Sequence, residues 1–352
     1  MIRRDLDAIP AYVPGKTDPH ALKLSSNEVA GAPLPAAAEA MAKAAMLGNR
    51  YPDMGAVSLR RALARHLGVE DGNVAVGCGS SALCQQLAQA TSTVGNNIIF
   101  PWRSFEAYPI FCRIAGAEPR PVPLVDGNHD LECMLSLIDA STSLVFLCSP
   151  NNPTGAVLST ADFRAFMARV PEHVTVALDE AYFEFNRDPD AVNGQEVWRD
   201  YPNLLCLRTF SKAYGLAGVR VGYAFGNAEL VAAVNKVGVP FQVSAVAQVG
   251  AIASLEHSDE LLARVEDTIE VRDEVADKIG AARSQANFVW VPFDDPERAP
   301  AIADRLAQHG VLVRAFPEGL RITVTNRDET DELLSAWDAL QVAQVSANHA
   351  RR

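Results

Sequence analysis

The chain has 352 residues, which is too long for one ordinary hydrophobic core and therefore predicts two domains. Hydrophobic residues make up 49% of the chain and charged residues 21%, as in an ordinary soluble globular protein. The formal net charge of -12 argues against nucleic acid or an anionic membrane surface as the main partner, because both repel a negatively charged protein.

The first residues of the chain and the spacing of its cysteines and histidines argue against a membrane, disulfide-bonded or metal-binding protein. No basic N-terminal segment leads into an apolar run, and no apolar stretch approaches the length of a membrane span, so we expect a cytoplasmic protein. The six cysteines form no Cys-x-x-Cys pair, and the seven histidines lack the close helical spacing of metal ligands. We therefore expect reduced cysteines and no metal site.

The first 34 residues contain several prolines and predict an extended arm, which we expect to pack with a smaller C-terminal domain. Within the arm, LKLSSNE (22–28) resembles a short strand ending in hydrogen-bonding side chains, although the segment taken alone favours a plain turn. Helices are predicted over 35–47, between a proline and Gly48, and over 57–67, where Gly68 is the expected cap.

From residue 73 the pattern alternates between strands and helices, which predicts a mainly parallel sheet covered on both faces. In such sheets, ligands bind where the strands end at their carboxyl edge. The predicted strands are 74–76, 98–100, 144–148, 174–178, 204–207 and 219–225, and helices between them include 81–93 and 159–168.

The C-terminal part of the chain predicts a smaller α+β domain. We place the large domain at 35–240, the small domain at 241–345 and a disordered tail at 346–352. Helices are predicted over 229–236, 244–255, 259–279, 299–309 and 328–340, and strands over 288–292, 311–314 and 320–324.

Lys212 lies in a glycine-containing loop between two predicted strands. A lysine amine forms a Schiff base with a carbonyl compound when neighbouring cations or desolvation keep it partly deprotonated. Arg220 could supply such a cation, and the hydroxyls of Thr209 and Ser211 could help to hold a phosphate. A solvated lysine in a surface turn is the alternative for this loop taken alone.

A glycine-rich turn, GCGSSA at 77–82, follows a predicted strand and opens a predicted helix. Its free backbone N–H groups and the positive helix end favour binding of a phosphate. The same letters match the G-x-G-x-x-A pattern of dinucleotide sites, but residues 98–101 on the next strand are apolar and lack the expected acidic residue. We therefore predict a phosphate site and not a nicotinamide dinucleotide site.

Further polar and aromatic side chains follow the other strands. Asp179 ends a predicted buried strand, and a cation such as a pyridinium nitrogen would be a suitable partner, although a helix N-cap is an equal alternative. Tyr182 follows three residues later, and SPNNPTG (149–155) places amide side chains at the same sheet edge. Phe105 and Tyr108 could stack on a planar ring, although aromatic residues more often belong to the core.

Taken together, these segments resemble pyridoxal-phosphate aminotransferases of fold type I, class I/II. The resemblance implies an α/β fold, with a mainly parallel seven-stranded sheet in the large domain and a smaller α+β domain. It covers nearly the whole chain and rests on ordered motifs: SSNE (25–28), RYPD (50–53), PNNPTG (150–155), DEAY (179–182), RTFSKAYGLAGVRVGYA (208–224) and LRITV (320–324).

The resemblance also implies roles for single residues. Lys212 would form the Schiff base with pyridoxal 5'-phosphate and move the proton, and Asp179 would pair with the pyridine nitrogen. Tyr182, the third residue with an implied catalytic role, would hydrogen-bond the phenolic oxygen together with Asn152. Phe105 would stack on the ring; the phosphate would be held by Ser80, Ser81, Thr209, Ser211 and Arg220, and by Tyr51 of a neighbouring subunit in a homodimer.

Substrate-binding roles follow from the same resemblance. Arg321 would bind the substrate α-carboxylate with its planar fork of donors, and Asn27 is a further candidate. The most similar branch contains histidinol-phosphate aminotransferase and the bacterial aromatic amino-acid (phenylalanine) aminotransferases. GSSA (79–82), VPGKT (13–17) and WRSFE (102–106) are similar to the aromatic branch, whereas Arg314 resembles an arginine that contacts the substrate phosphate in histidinol-phosphate enzymes.

We therefore predict a homodimeric enzyme that transfers an amino group between phenylalanine, tyrosine or tryptophan and a 2-oxo acid such as 2-oxoglutarate, by a ping-pong mechanism. Histidinol-phosphate transamination is the alternative. A dinucleotide-dependent oxidoreductase rests only on the glycine pattern. A non-enzymatic pyridoxal-phosphate regulator would need a DNA-binding module, and no spare segment is long enough to form one.

Overall fold

The structure is a computed structural model that describes residues 7–9 and 18–350, with side chains described as far as residue 340. The VPGKT segment (13–17) lies outside the described residues. The first described elements are a short strand and two helices, β1 (Leu22–Lys23), α1 (Pro35–Ala45) and α2 (Val57–Leu67). Gly68 ends α2 with a left-handed φ of 66°, which confirms the predicted glycine cap.

A single large sheet follows, with the strand order β2-β8-β7-β6-β5-β3-β4. β8 runs antiparallel to both of its neighbours, whereas β7, β6, β5, β3 and β4 are mutually parallel, so the predicted mainly parallel seven-stranded sheet is confirmed. Its strands are β2 (Val74–Gly77), β3 (Asn97–Trp102), β4 (Glu118–Pro123), β5 (Thr142–Cys148), β6 (Thr175–Asp179), β7 (Leu204–Thr209) and β8 (Gly222–Gly226).

Two differences from the predicted strands have physical causes. The strand pattern missed β4, whose sequence EPRPVP contains three prolines; an edge strand tolerates them because one side needs no ladder hydrogen bonds. The strand predicted over 219–225 begins only at Gly222. Ala217–Val219 forms a 3₁₀ turn instead, and Arg220 has a left-handed φ of 63°, which breaks the extended backbone.

Helices cover both faces of the large sheet, as predicted. In the interior strand β5, Leu144, Phe146 and Cys148 pack with α3, α4 and α8, whereas Val145 and Leu147 pack in the cluster that includes α1, α2, α6 and α9. The helices of this part are α3 (Ser80–Thr91), α4 (Tyr108–Ala115), α5 (Leu131–Ser136), α6 (Thr160–Met167), α7 (Gly194–Val197), α8 (Ala228–Val237), α9 (Ala245–Glu256) and α10 (Ser258–Ile279).

A second, antiparallel sheet with the order β11-β12-β9 lies in the C-terminal part and has its own apolar cluster. β10 pairs instead with β1, in parallel, so the N-terminal arm joins this part of the molecule. The strand predicted over 311–314 is therefore split at Val313, between two different partners. The elements are β9 (Phe288–Pro292), α11 (Arg298–Gln308), β10 (Val311–Leu312), β11 (Arg314–Phe316), β12 (Gly319–Thr323) and α12 (Arg327–Ala350).

The end of the last helix differs from the prediction. The sequence predicts a helix end at Leu340, but α12 continues to Ala350, because residues 341–350 contain neither glycine nor proline to stop it. The disorder predicted for 346–352 stays a prediction, and residues 351–352 lie outside the described part. The other domain boundaries stay a prediction.

Two findings concern the chain as a whole. None of the described helices combines the length and the apolar character needed to cross a membrane. All six cysteines are free, and four of them, Cys84, Cys112, Cys148 and Cys206, are buried.

Candidate active site

Lys212, Asp179 and the PNNPTG loop lie at the carboxyl edge of the large sheet. They follow or end β7, β6 and β5, which are parallel neighbours. Because parallel strands end at the same edge, the topology alone brings these three segments together. This is the edge at which the sequence predicted a site.

Lys212 is held in a cleft formed by the large sheet and the N-terminal arm. Its Nζ donates a hydrogen bond to the carbonyl oxygen of Ser26 at 3.1 Å and lies 5.7 Å from the centre of the Tyr182 ring. Desolvation, followed by the positive charges of Arg321 and Arg220, lowers the pKa of the Lys212 amine to about 7. The amine is therefore partly neutral at physiological pH, as a nucleophile or a proton carrier requires.

Asp179 is a buried carboxylate with one occupied and one free oxygen. The hydroxyl of Tyr108 donates to Oδ2 at 2.7 Å, whereas Oδ1 has no hydrogen-bond partner among the described residues. Burial raises the pKa of Asp179 to about 6, and the Tyr108 hydrogen bond opposes this shift. An orphaned buried carboxylate oxygen is costly and marks a place where a ligand donor or cation would fit.

Sequence reasoning missed the role of Tyr108, which it treated only as a ring-stacking candidate. The Tyr108 ring is fully buried and stacks on Phe146 with a centroid distance of 4.4 Å, so its hydroxyl is fixed towards Asp179. Phe105, the residue expected to stack on the cofactor ring, lies edge-on to Tyr108 at 5.5 Å. An aromatic residue after a strand gives no sign of which carboxylate its hydroxyl will meet.

Arg220 brings the predicted phosphate-binding residues together. Its Nη1 donates to Ser211 Oγ at 3.3 Å, and its Nη2 donates to the Cys78 carbonyl at 3.4 Å. A Cβ atom at Gly79 would lie 2.5 Å from Arg220 Nη2, so only glycine allows the guanidinium to approach the turn. The N-terminal turn of α3, with Ser80 and Ser81, follows directly, and Thr209 Oγ1 accepts from the backbone N–H of Ser211 at 3.1 Å.

Tyr182 and Asn27 form a buried network with the second sheet. The Asn27 side chain donates to the Tyr182 hydroxyl at 2.8 Å, and Thr323 Oγ1 donates to Asn27 Oδ1 at 3.0 Å. Asn27 is thus held by β12 and itself orients Tyr182. Thr323 is a second residue of the site that sequence reasoning did not identify.

Arg321 is a buried cation at the other end of the cleft. Nη1 donates to Asn152 Oδ1 at 2.6 Å and Nη2 donates to the Ser25 carbonyl at 2.7 Å, whereas Nε has no partner among the described residues. The side chain is 6% exposed and forms no ion pair with a described carboxylate, and burial lowers its pKa. A buried guanidinium without a counter-ion is suited to an anionic ligand.

Two predicted residues lie outside this set of contacts. Arg314 is paired with Glu106, with Nη2 at 3.1 and 3.0 Å from the two carboxylate oxygens. Tyr51 is 83% exposed and stacks on Phe241 with a centroid distance of 4.6 Å. Its expected role depends on a second copy of the chain.

The side chains of the cleft match the chemistry of pyridoxal 5'-phosphate. The orphaned Asp179 Oδ1 suits a protonated ring nitrogen, the partly neutral Lys212 amine suits an aldehyde, and the Arg220 turn suits a phosphate monoester. The residues present therefore fit this group.

Comparisons with known proteins agree with this chemistry. The family model described as aminotransferase class I and II matches residues 19–336. A relative from Corynebacterium diphtheriae, named aromatic amino acid aminotransferase, is 61% identical over 96% of this chain and 99% of its own length. A relative of the same name from Rhodococcus opacus is 49% identical over 98% of both chains.

A solved structure adds the three-dimensional comparison. Histidinol-phosphate aminotransferase from Sinorhizobium meliloti, in complex with pyridoxal-5'-phosphate, superposes with a TM-score of 0.84. It is 32% identical in sequence, and the match covers 90% of this chain and 89% of that one.

Proposed function

The chain belongs to the class I and II aminotransferases of fold type I, and on this premise we propose that it is an aromatic amino-acid aminotransferase. It would transfer the amino group between phenylalanine, and also tyrosine or tryptophan, and a 2-oxo acid such as 2-oxoglutarate. The names of the relatives at 49–61% identity support the aromatic substrate.

One observation carries the chemical part of the proposal. Two buried polar atoms without partners among the described residues, Asp179 Oδ1 and Arg321 Nε, belong to the groups whose charges act on the Lys212 amine. The Asp179 carboxylate lacks a cation as a partner, and the Arg321 guanidinium lacks an anion as a partner. A cofactor with a protonated ring nitrogen and a substrate with an α-carboxylate would satisfy both at once.

The cofactor would be held by residues of the large sheet. Lys212 would bind it covalently, Asp179 Oδ1 would keep its ring nitrogen protonated, and Arg220 with the start of α3 would bind its phosphate. Tyr182 and Asn152 would donate to its phenolic oxygen. When bound, pyridoxal phosphate supplies an aldehyde and an electron-withdrawing ring that stabilises negative charge at the substrate Cα.

Lys212 would also move the substrate proton. After the substrate amino group has displaced it from the cofactor, the freed Nζ would take the proton from Cα of the substrate, and the lowered pKa of about 7 keeps part of the free amine neutral. Arg321 binds and orients the α-carboxylate, and the fixed hydrogen bonds to Asn152 and Ser25 hold the guanidinium in place before the substrate arrives.

Histidinol phosphate is the second candidate substrate, and Arg314 is the observation behind it. That candidate needs a free cation for the substrate phosphate. The Arg314 guanidinium already has Glu106 as its counter-ion, which weighs towards a neutral aromatic side chain.

A substrate comparison tests the proposal. We expect kcat/KM for phenylalanine with 2-oxoglutarate to exceed that for histidinol phosphate by at least about tenfold under matched conditions. The appearance of phenylpyruvate and of the oxidised phosphate ester would be measured with the same enzyme preparation. A preference for the phosphate ester would reverse the assignment.

Replacement of the central lysine tests the chemistry independently of the substrate. Lys212→Ala should lower kcat by at least about a thousandfold, because it removes both the covalent attachment and the proton carrier. Lys236→Ala, at an exposed position of α8, is the matched control and should keep wild-type turnover. Turnover near the wild-type value in a folded Lys212→Ala variant would refute the assigned role.

We also propose a homodimer in which Tyr51 reaches the phosphate site of the partner, and a cytoplasmic location. Exposed apolar side chains around Tyr51 support an interface, and the six free cysteines support a reducing compartment. The exposed set is Met46, Leu47, Met54, Val239 and Phe241. Sedimentation equilibrium at micromolar concentration should give twice the chain mass, and the mass of one chain would contradict the dimer.

A further inference from the structure

Two arginine–glutamate pairs join the loop after β3 to the β11–β12 hairpin. Arg103 donates to both oxygens of Glu318, with Nε at 3.0 Å and Nη2 at 2.8 Å. Arg314 donates to both oxygens of Glu106 from Nη2. Each segment contributes one arginine and one glutamate, and each pair joins the arginine of one segment to the glutamate of the other.

Arg314 has a special position because it lies opposite Arg321. The two residues are partners in the antiparallel β11–β12 register, so their side chains leave the same face of the hairpin. Both guanidinium carbons lie near the ring of Phe316, at 5.6 and 5.7 Å from its centre. A second cation therefore lies beside the one expected to bind the α-carboxylate.

Glu106 decides whether that second cation is available. Its carboxylate neutralises Arg314, and it directly follows Phe105 on the side of the cleft expected to face the cofactor ring. The pair is only half-buried, with side-chain exposures of 37% for Arg314 and 43% for Glu106. A pair of this exposure can be opened by another carboxylate, at a cost of a few-fold in the affinity of the ligand that opens it.

The Arg208–Glu180 pair shows the contrasting case. Arg208 Nε donates to Glu180 Oε2 at 3.0 Å, with side-chain exposures of 2% and 0%. Removing one partner there would leave an uncompensated buried charge, so that pair is a fixed part of the fold. The Glu106–Arg314 pair, in contrast, has water on both partners and no such constraint.

We propose that Glu106 is a specificity-determining residue that disfavours substrates with an anionic side chain. A neutral aromatic side chain leaves the Glu106–Arg314 pair intact. A 2-oxo acid with a second carboxylate must displace Glu106 from Arg314 before it can use that arginine. The inference rests on the proposed function, because it assumes that the enzyme alternates between aromatic and dicarboxylic substrates.

Binding of two unreactive acids to the holoenzyme tests this inference. Glutarate carries two carboxylates, and 3-phenylpropanoate carries one carboxylate and an aromatic ring. In Glu106→Gln, the ratio of the glutarate Kd to the 3-phenylpropanoate Kd should fall about fivefold in isothermal titration calorimetry at low salt. The change should shrink at about 0.5 M salt, because the competing charge is partly exposed.

Glu318→Gln is the matched control. It removes the same charge from the other arginine–glutamate pair between the same two segments, but its partner Arg103 does not lie opposite Arg321, so the ratio should stay within about twofold of the wild type. A ratio unchanged in Glu106→Gln, or shifted equally in Glu318→Gln, would overturn the proposal. Because neither acid reacts, this outcome is separate from a failure to transaminate phenylalanine, which would overturn the proposed function instead.

Discussion

The two ends of the cleft around Lys212 are assembled in different ways. At the large-sheet end, Asp179 and Lys212 lie on segments that end or follow adjacent parallel strands. At the other end, Arg321 lies on β12 of a separate sheet and is held by Asn152 of the loop after β5 and by Ser25 of the N-terminal arm. The first end is built by neighbouring strands of one sheet, and the second by three separate segments.

The two ends of the cleft are suited to different parts of the bound ligands. The large-sheet end carries the groups suited to a constant ligand, a ring nitrogen and a phosphate. The second end carries Arg321 and the displaceable Glu106–Arg314 pair, which would meet the part of the ligand that varies between substrates. An end held by a few side-chain contacts can change its specificity without disturbing the strands that hold the cofactor.

Replacement of Arg321 should give the largest effect among the tests of whether the two ends of the cleft act separately. Arg321→Lys keeps a positive charge but loses the planar fork, so kcat/KM for phenylalanine should fall about 10- to 100-fold. Retention of pyridoxal phosphate, measured by absorbance after gel filtration, should match the wild type. If the ends act separately, only substrate kinetics will change.

Arg298→Lys, on the exposed surface of α11, is the control for this experiment and should keep wild-type kinetics. A variant Arg321→Lys that lost cofactor as well as substrate affinity would show that the two ends form one unit. The division described above would then be wrong.

The same difference explains how much could be predicted from the sequence. Asp179, Lys212 and Arg220 each lie in a short sequence motif at or near the end of a strand. Because parallel strands end at the same edge of a sheet, the sequence predicted that these motifs would meet. The bounds of β9 were predicted without error, because Phe288–Pro292 is a clear apolar run. β4 was missed, because its prolines argue against a strand unless its edge position is known.

The remaining contacts join residues that are far apart in the chain. Tyr108 is 71 residues from Asp179, and Glu106 is 208 residues from Arg314. Local patterns carry no information about such pairs, since the partner is chosen by the packing of whole elements. The sequence therefore identified Arg314 as a candidate cation but not the carboxylate that neutralises it.

Tyr108→Phe sharpens the description of the large-sheet end. The phenylalanine keeps the stacking on Phe146 but removes the donor to Asp179 Oδ2, so the pKa of Asp179 should rise above its present value of about 6. The acid limb of the pH profile of kcat/KM should move to higher pH, with a loss of about threefold to tenfold at pH 7. Tyr201→Phe, whose ring meets Phe163 edge-on and is not among the groups that act on the Asp179 carboxyl, should leave the profile unchanged. An unshifted profile in Tyr108→Phe would mean that Oδ2 needs no donor.

The smallest expected effect concerns Asp179, whose ionised carboxyl lowers the stability of the apoprotein although it is expected to increase cofactor affinity. The folded apoprotein binds the Asp179 proton more tightly than the unfolded chain, because burial raises the pKa of this carboxyl from 3.8 to about 6. Asp179 therefore lowers the stability as pH rises from about 4 to about 6, and the full cost is present above that range. Glu184, whose pKa is raised to about 7 by burial, acts in the same direction up to neutral pH.

Asp179→Asn removes this cost, because an amide in the same place has no charge to desolvate. We expect the apoprotein of this variant to gain about 1 to 3 kcal/mol at pH 8 and to melt a few degrees higher than the wild type. The gain should vanish at pH 4, where the wild-type carboxyl is protonated in the folded state.

Cofactor affinity should fall in the same variant, because a neutral amide cannot hold a protonated ring nitrogen. Thermal melts of both apoproteins at pH 4 and pH 8 measure the first effect, and a cofactor titration measures the second. A variant less stable than the wild type at pH 8 would mean that Oδ1 has a stabilising partner of its own, and the argument that this atom awaits a ligand would fail.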